Sequence, residues 1–125
     1  MGPTVLVAEE HVVVTHLEAP AYLGYLFVES RRHVPELGDL EPDEAAAAGR
    51  AAARWSRALQ DVTGAEHVYA AVIGHGVAHF HLHLIPRLPG TPREYWSTRV
   101  DEWPEAPRGD EAAIGELLGR LRATP

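Results

Sequence analysis

The sequence predicts an α+β fold: a mostly antiparallel sheet of about five strands, one long helix and a short C-terminal helix. Three observations carry this. Short runs rich in β-branched residues, separated by glycine and proline, occupy the first 30 residues and return between 67 and 85. A long alanine-rich stretch follows Pro42. A last segment after Asp110 repeats leucine and isoleucine at helical spacing. With 125 residues the chain can build one core and is short for two, so residues 1–125 are read as one domain. Within it, 89–109 are expected to be an irregular extension and 110–122 the C-terminal helix.

Residues 4–8 (TVLVA), 11–17 (HVVVTHL) and 25–30 (YLFVES) read as the first strands, with Pro20 and Gly24 as punctuation between the last two. Pro42 suits a first helical position, and Asp43 and Glu44 fall in the first turn, where the helix dipole favours acids. Ala45, Ala48, Ala52, Trp55, Leu59 and Val62 recur at spacings of three and four, and Gly64 is a natural stop. The first half of that stripe is almost all alanine. Whatever it faces, the sheet or a second copy of the chain, must therefore approach closely. Residues 67–73 (HVYAAVI) and 79–85 (HFHLHLI) read as two more strands. Pro86 is expected to end the last of them or to place it near an edge. The proline-rich segment after it has little periodicity. Asp110 can cap a final helix that carries Ile114, Leu117, Leu118 and Leu121 on one face.

Composition excludes several chemistries. The net charge of −7 is wrong for a general binder of nucleic-acid backbones. There is no cysteine, so no disulfide, thiolate nucleophile or cysteine-bound zinc. There is no lysine either; all eleven cations are arginines, which removes Schiff-base and P-loop lysine chemistry. No apolar run approaches the ~20 residues of a membrane helix. The N-terminus has no basic region leading into an apolar one. The expected location is the cytoplasm, with no membrane partner. Neither a GxSxG nor an HExxH pattern occurs. Among the carboxylates no acid and base pair stands out; Glu9, Glu10, Asp43 and Glu44 read as solvated turn or helix-start charges.

The chemistry concentrates in HFHLHLI. Strand side chains alternate faces, so His79, His81 and His83 share one face while Phe80, Leu82 and Leu84 seal the other against the core. Three readings fit a row of imidazoles. One is a set of solvent-facing side chains, which three of only eight histidines in register argue against. A second is a metal site. Histidines two apart lie about 6.6 Å apart along a strand and the outer pair about 13 Å, so one ion would take two of the three and borrow His75, His67 or Glu66. The third is phosphoryl or nucleotidyl transfer: neutral imidazole is a nucleophile near pH 7, and its cation donates to phosphate oxygens. Gly74 and Gly76 just upstream allow close backbone approach to a phosphate.

HFHLHLI followed by Pro86 and Arg87 resembles the signature of the histidine-triad (HIT) family, His-x-His-x-His-x-x with apolar residues between. YLGYLFVESRRHV (22–34) is similar to the upstream strand and turn of that family. The resemblance covers roughly 11–88. It implies a small α+β domain, usually a homodimer. Such a domain binds a nucleotide and hydrolyses or transfers a nucleotidyl group through a covalent nucleotidyl-histidine, with no required metal or other cofactor. It implies that His81 is the nucleophile, that His83 contacts phosphate oxygens, and that His79 orients the site. The substrate would be a nucleoside 5′-phosphate carrying an amine, phosphate or nucleotide leaving group. His75, Gly76 and Val77, in the turn before the triad, fall among the substrate contacts. Tyr25 stands where many members have a histidine, and His75-Gly76 where many have glutamine and a hydroxyl residue. Glu18 is the nearest candidate for a ribose contact, or a solvated surface charge. Phe27 can touch a base or pack in the core, and His33 matches a second upstream histidine. The departures at Tyr25 and Gly76 also fit a nucleotide sensor with weak catalysis, and two triad histidines on an ion would make a metal-dependent enzyme.

Overall fold

A computed structural model describes residues 4–74 and 79–125. The chain forms strands β1 (Thr4–Ala8), β2 (Val12–His16), β3 (Ala21–Tyr22) and β4 (Leu26–Ser30), then helix α1 (Pro42–Thr63). Strands β5 (His67–Val72) and β6 (His81–Arg87) come next, then β7 (Arg108–Gly109) and helix α2 (Glu111–Arg122). The main sheet has the order β1-β2-β4-β6-β5, and every neighbouring pair is antiparallel. The expected α+β architecture is therefore what the chain adopts.

Strand periodicity sorts the sheet into two faces. Val12, Val14, Leu26, Val28 and Leu84 point to one side. There they form the main core with Leu6, Phe80, the α1 residues Ala47, Ala48, Ala51, Trp55, Ala58 and Leu59, and Ile114, Leu117, Leu118 and Leu121 of α2. The alanine stripe thus packs on the sheet, the first of the two alternatives its composition left open. Its face is turned slightly from the expected one: Ala45 is exposed, while Ala47, Ala51 and Ala58 are buried. A run of alanines carries no contrast by which to place a face. Pro42 opens α1 as expected, and Gly64 ends it in the left-handed conformation at φ 73°.

Two expectations are corrected, and of the two readings of Pro86 the position at an edge is the one that holds. Glu44 is buried, with 6% of its surface exposed, and is no solvated charge. Its carboxylate accepts both Arg32 Nε–H at 3.0 Å and an Arg32 Nη2 proton at 2.8 Å, and it accepts the Glu41 backbone N–H at 2.7 Å. The Arg32 hydrogen bonds, then the Glu41 amide, hold its carboxyl down at about 2. Pro86 lies inside β6, opposite Val68 of β5. It is tolerated because pairing with β4 ends at Leu26 and Leu84, so on that side β6 is locally an edge where no N–H is needed. The 89–109 extension is more ordered than its composition suggested: it contains two 3-10 turns, Arg93–Tyr95 and Ser97–Glu102, and β7, which pairs with β3.

That extension covers part of the sheet's second face. Tyr22, Tyr25, Ile85, Val100 and Ala106 form a smaller core there, with Phe27, Tyr69, Leu88 and Trp103 packed against it. Tyr22 donates its hydroxyl to the Pro86 carbonyl at 2.7 Å, and the guanidinium of Arg87 lies 3.8 Å from the centre of the Trp96 ring. None of the described helices is long and apolar enough to cross a membrane.

Candidate active site

Among the described residues, the second face of the sheet is left partly open around the histidine row. His81 and His83 project from β6, side by side with Glu29 and Phe27, their register partners on β4. β6 begins at His81, and His79 stands in the bend just before it. The row survives this early break: the His79 ring stacks on that of His81 at 5.4 Å between centroids, 19° from parallel. Phe80 and Leu84 are buried in the main core and Leu82 packs against it, so the division into a sealing face and an open face holds.

Hydrogen bonds hold two of these rings in place. The Ser30 carbonyl can only accept, so His79 donates to it from Nε2 at 3.0 Å. In the neutral ring Nδ1 is then bare, and it accepts from His33 Nδ1–H at 3.0 Å. His33, the second upstream histidine, is thus the group that anchors the first member of the row. At the other end Tyr25 Oη lies 2.9 Å from His83 Nδ1. Burial pushes the Tyr25 phenol up to about 12, with a contribution from Asp101, so it stays protonated. Its hydroxyl has no other partner among the described residues: either the phenol donates to Nδ1, or Nδ1–H donates to the phenol oxygen. In the first arrangement His83 carries its proton on Nε2. Burial, and after it the neighbouring His81, push its pKa down, against Asp101. In that arrangement His83 presents its Nε2–H to the open side.

His81, between them, makes no side-chain hydrogen bond among the described residues. Its Nε2 lies 3.4 Å from Glu29 Oε2, with both side chains about a quarter exposed. Phe27 packs beside both histidines, its ring centroid 5.6 Å from that of His81 and 4.8 Å from that of His83. It belongs to the open face and not to the main core. Glu18 is exposed in the turn between β2 and β3 and has no hydrogen bond to the row among the described residues. His75, Gly76 and Val77 lie outside the described residues. Among the described residues no three His, Asp or Glu side chains are placed to hold a metal ion. Sequence reasoning missed Glu29. The signal was present: it lies two residues after Phe27 in a strand, so it shares that residue's face.

Comparison with known proteins agrees with this fold. The family model described as "HIT domain" matches residues 3–90, more than half of the chain. The fold resembles that of a histidine triad protein from Bradyrhizobium japonicum, with a TM-score of 0.77 and 23% identity over 96% of this chain and 88% of the other. It also resembles a hypothetical histidine triad nucleotide-binding protein from Sulfolobus tokodaii, with a TM-score of 0.75 and 18% identity over 98% and 83%. A zinc-bound histidine triad family protein from Mycobacterium smegmatis is similar at a TM-score of 0.73 and 22% identity over 98% and 86%. No curated protein matches the chain in sequence.

Proposed function

The chain belongs to the histidine-triad (HIT) family, and from that membership we propose that it is a nucleotide hydrolase or nucleotidyl transferase. It binds a nucleoside 5′-phosphate derivative, a dinucleoside polyphosphate or a phosphoramidate, and cleaves it at the α-phosphate through a covalent bond to His81. The observation that carries this reading is the row itself. His81 stands on an open sheet face between two histidines whose rings are held by a carbonyl and a phenol. A displacement at phosphorus needs a nucleophile in the middle and donors beside it for the phosphate oxygens.

In this reading His81 attacks the α-phosphorus, and the leaving group departs from the opposite side. Water, or an acceptor in the transferase case, then releases the nucleotide. His83, neutral and protonated at Nε2, donates to a phosphate oxygen without the cost of keeping a charge half-buried. His79, fixed through Ser30 and His33, keeps the His81 ring in one plane by stacking. Tyr25 sets the His83 proton, the task its hydroxyl can do where the family pattern has histidine. Phe27 gives an apolar contact for the base, and His75, Gly76 and Val77 contact the phosphates. No group here requires a metal or organic cofactor. We further propose a homodimer: β5 is an edge strand of the sheet, and Val72 on it is 39% exposed.

The test is a hydrolysis screen over dinucleoside polyphosphates and nucleoside phosphoramidates, with His81→Ala as control. Wild type turns over at least one of them, and an alkaline quench traps one nucleotidyl group per chain on His81, labile to acid. His81→Ala loses at least ~10³-fold in turnover and forms no adduct. Normal turnover by His81→Ala would sink the mechanism. Binding of nucleotide by wild type without turnover of any substrate would identify a sensor instead. Sedimentation of the same preparation at micromolar concentration gives the mass of two chains.

A further inference from the structure

We infer that Glu29 is the proton carrier of this site, working directly on the Nε2 atom of His81. The inference rests on the reading of His81 as the attacking group. Its own basis is the placement of the carboxylate that stands at His81; Asp101 acts at the other end of the row, on Tyr25 and His83. The side chains that β2, β4, β5 and β6 direct to this face are Val13 and Thr15, Phe27 and Glu29, His67, Tyr69 and Ala71, and His81, His83, Ile85 and Arg87. Glu29 is the one acid among them. It stands opposite His81 across the β4–β6 ladder, and opposite the apolar Val13 across the β2–β4 ladder. Its Oε2 lies 3.4 Å from His81 Nε2. Glu44 and Glu102 are paired with arginines, Arg32 and Arg99. Glu29 has no arginine partner among the described residues; its charge faces an imidazole.

An anion beside the atom that must meet a phosphate is costly unless it handles protons. The same atom can do so twice with atoms and charge in balance. In this cycle the pair holds one proton between His81 Nε2 and the Glu29 carboxylate, besides the one on Nδ1. The Nε2 proton moves to Glu29, which leaves a bare Nε2 and a neutral carboxylic acid, so the anion that would repel the phosphate is gone. Nε2 bonds to the α-phosphorus, the bond to the leaving group breaks, and the leaving group takes the proton from Glu29. Glu29, again a carboxylate, removes a proton from water. The resulting hydroxide bonds to phosphorus and the phosphorus–nitrogen bond breaks. Glu29 then returns its proton to Nε2. The net change is addition of one water across the bond to the leaving group. Both side chains are about a quarter exposed, which leaves the carboxylate room to follow the reacting atoms.

Two leaving groups test this. An alkylamine on a nucleoside 5′-phosphoramidate must be protonated to depart, whereas p-nitrophenolate on the matching nucleoside phosphodiester need not be. Glu29→Gln keeps the size and the partial exposure and removes the titrating group. It is expected to lose ~10²- to 10³-fold on the phosphoramidate. On the nitrophenyl ester, where only the removal of the Nε2 proton is lost and not the protonation of the leaving group, the burst of one nitrophenolate per chain should slow less than the phosphoramidate reaction does, then stall with nucleotide on His81. Glu29→Asp, which keeps the acid on a shorter stem, should recover part of the loss and guards against a folding artefact. Equal losses in the burst step for both substrates, or turnover of the phosphoramidate by Glu29→Gln within about threefold of wild type, would overturn the assignment. Wild-type turnover together with an adduct on His81 leaves the proposed function standing in either case. If wild type turns nothing over, that function fails and the proton carrier fails with it.

Discussion

His16 is the residue through which acid should reach the fold. It is fully buried and uses both ring nitrogens: Nδ1–H donates to the Leu17 carbonyl at 2.8 Å, and Nε2 accepts the Gly24 amide at 2.9 Å. A second proton on Nε2 would confront the Gly24 N–H and abolish its acceptor. Burial accordingly pushes the imidazole below 6.5, with the Leu17 hydrogen bond opposing. In the unfolded chain the group titrates near 6.5. Below that pH the unfolded state therefore holds the extra proton and the folded state does not, so stability falls as pH falls. His83 acts in the same direction, pushed down by burial and by His81. Glu44, held at about 2, contributes its loss only below 4.5, which leaves the window between 6.5 and 5 to the histidines. The melting temperature should be level from pH 8 to 7 and decline from 6.5 downward, with each such group contributing at most about 1.4 kcal/mol per pH unit. His16→Gln should be less stable than wild type at pH 7.5 and lose less between pH 7 and 5. Parallel melting curves for the two proteins would show that the acid response lies elsewhere.

Among the elements, the turn into β4 is the most tightly specified. Gly24 has φ 93°, and a Cβ there would lie 2.8 Å from Pro86 Cγ and 3.2 Å from Leu59 Cδ2. Its amide is the one that His16 accepts. Gly24→Ala meets a disfavoured backbone and a rigid ring together, so it should cost about 2–4 kcal/mol in chemical denaturation, while an alanine at Gly49, where a Cβ meets nothing within 4 Å, should be neutral or better. A loss under 1 kcal/mol for Gly24→Ala would mean that the turn relaxes. This glycine was legible in the sequence as a break but not as a contact, because Pro86 and Leu59 approach it only in three dimensions. The same holds more widely. Elements with strong local signals, such as α1 between Pro42 and Gly64 and α2 after Asp110, are readable because caps and spacing are local. β3 and β7 are two-residue strands that exist only because they pair across 85 residues of chain. The buried Glu44 looked like an ordinary first-turn acid because its partner Arg32 lies before the helix.

At the scale of the whole molecule, the histidine row was legible because strand alternation alone puts it on one face, whereas its surroundings come from distant segments. Glu29, Tyr25 and His33 reach it from β4 and its flanks, and the cover over the far end of that face comes from residues 97–107. The match to the family model ends at residue 90, yet the residues beyond 90 supply both that cover and the α2 side of the main core. These two contributions can be separated. Leu118 is fully buried in the main core, against the face of the sheet away from the histidines. Leu118→Ala should cost about 2–5 kcal/mol through the cavity it opens, and leave the turnover of the folded fraction unchanged. Val100 is 1% exposed in the smaller core beneath Tyr25 and Ile85. Val100→Ala removes less volume and should cost less, about 1–3 kcal/mol. It nevertheless loosens the packing that holds the Tyr25 phenol on His83, so kcat, measured well below the melting temperature, should fall more than for Leu118→Ala. A chain ending at residue 90 loses both contributions and should show no cooperative melting transition. If Val100→Ala and Leu118→Ala instead changed kcat in proportion to their effect on stability, the C-terminal segment would serve the fold alone and not the geometry of the histidine row.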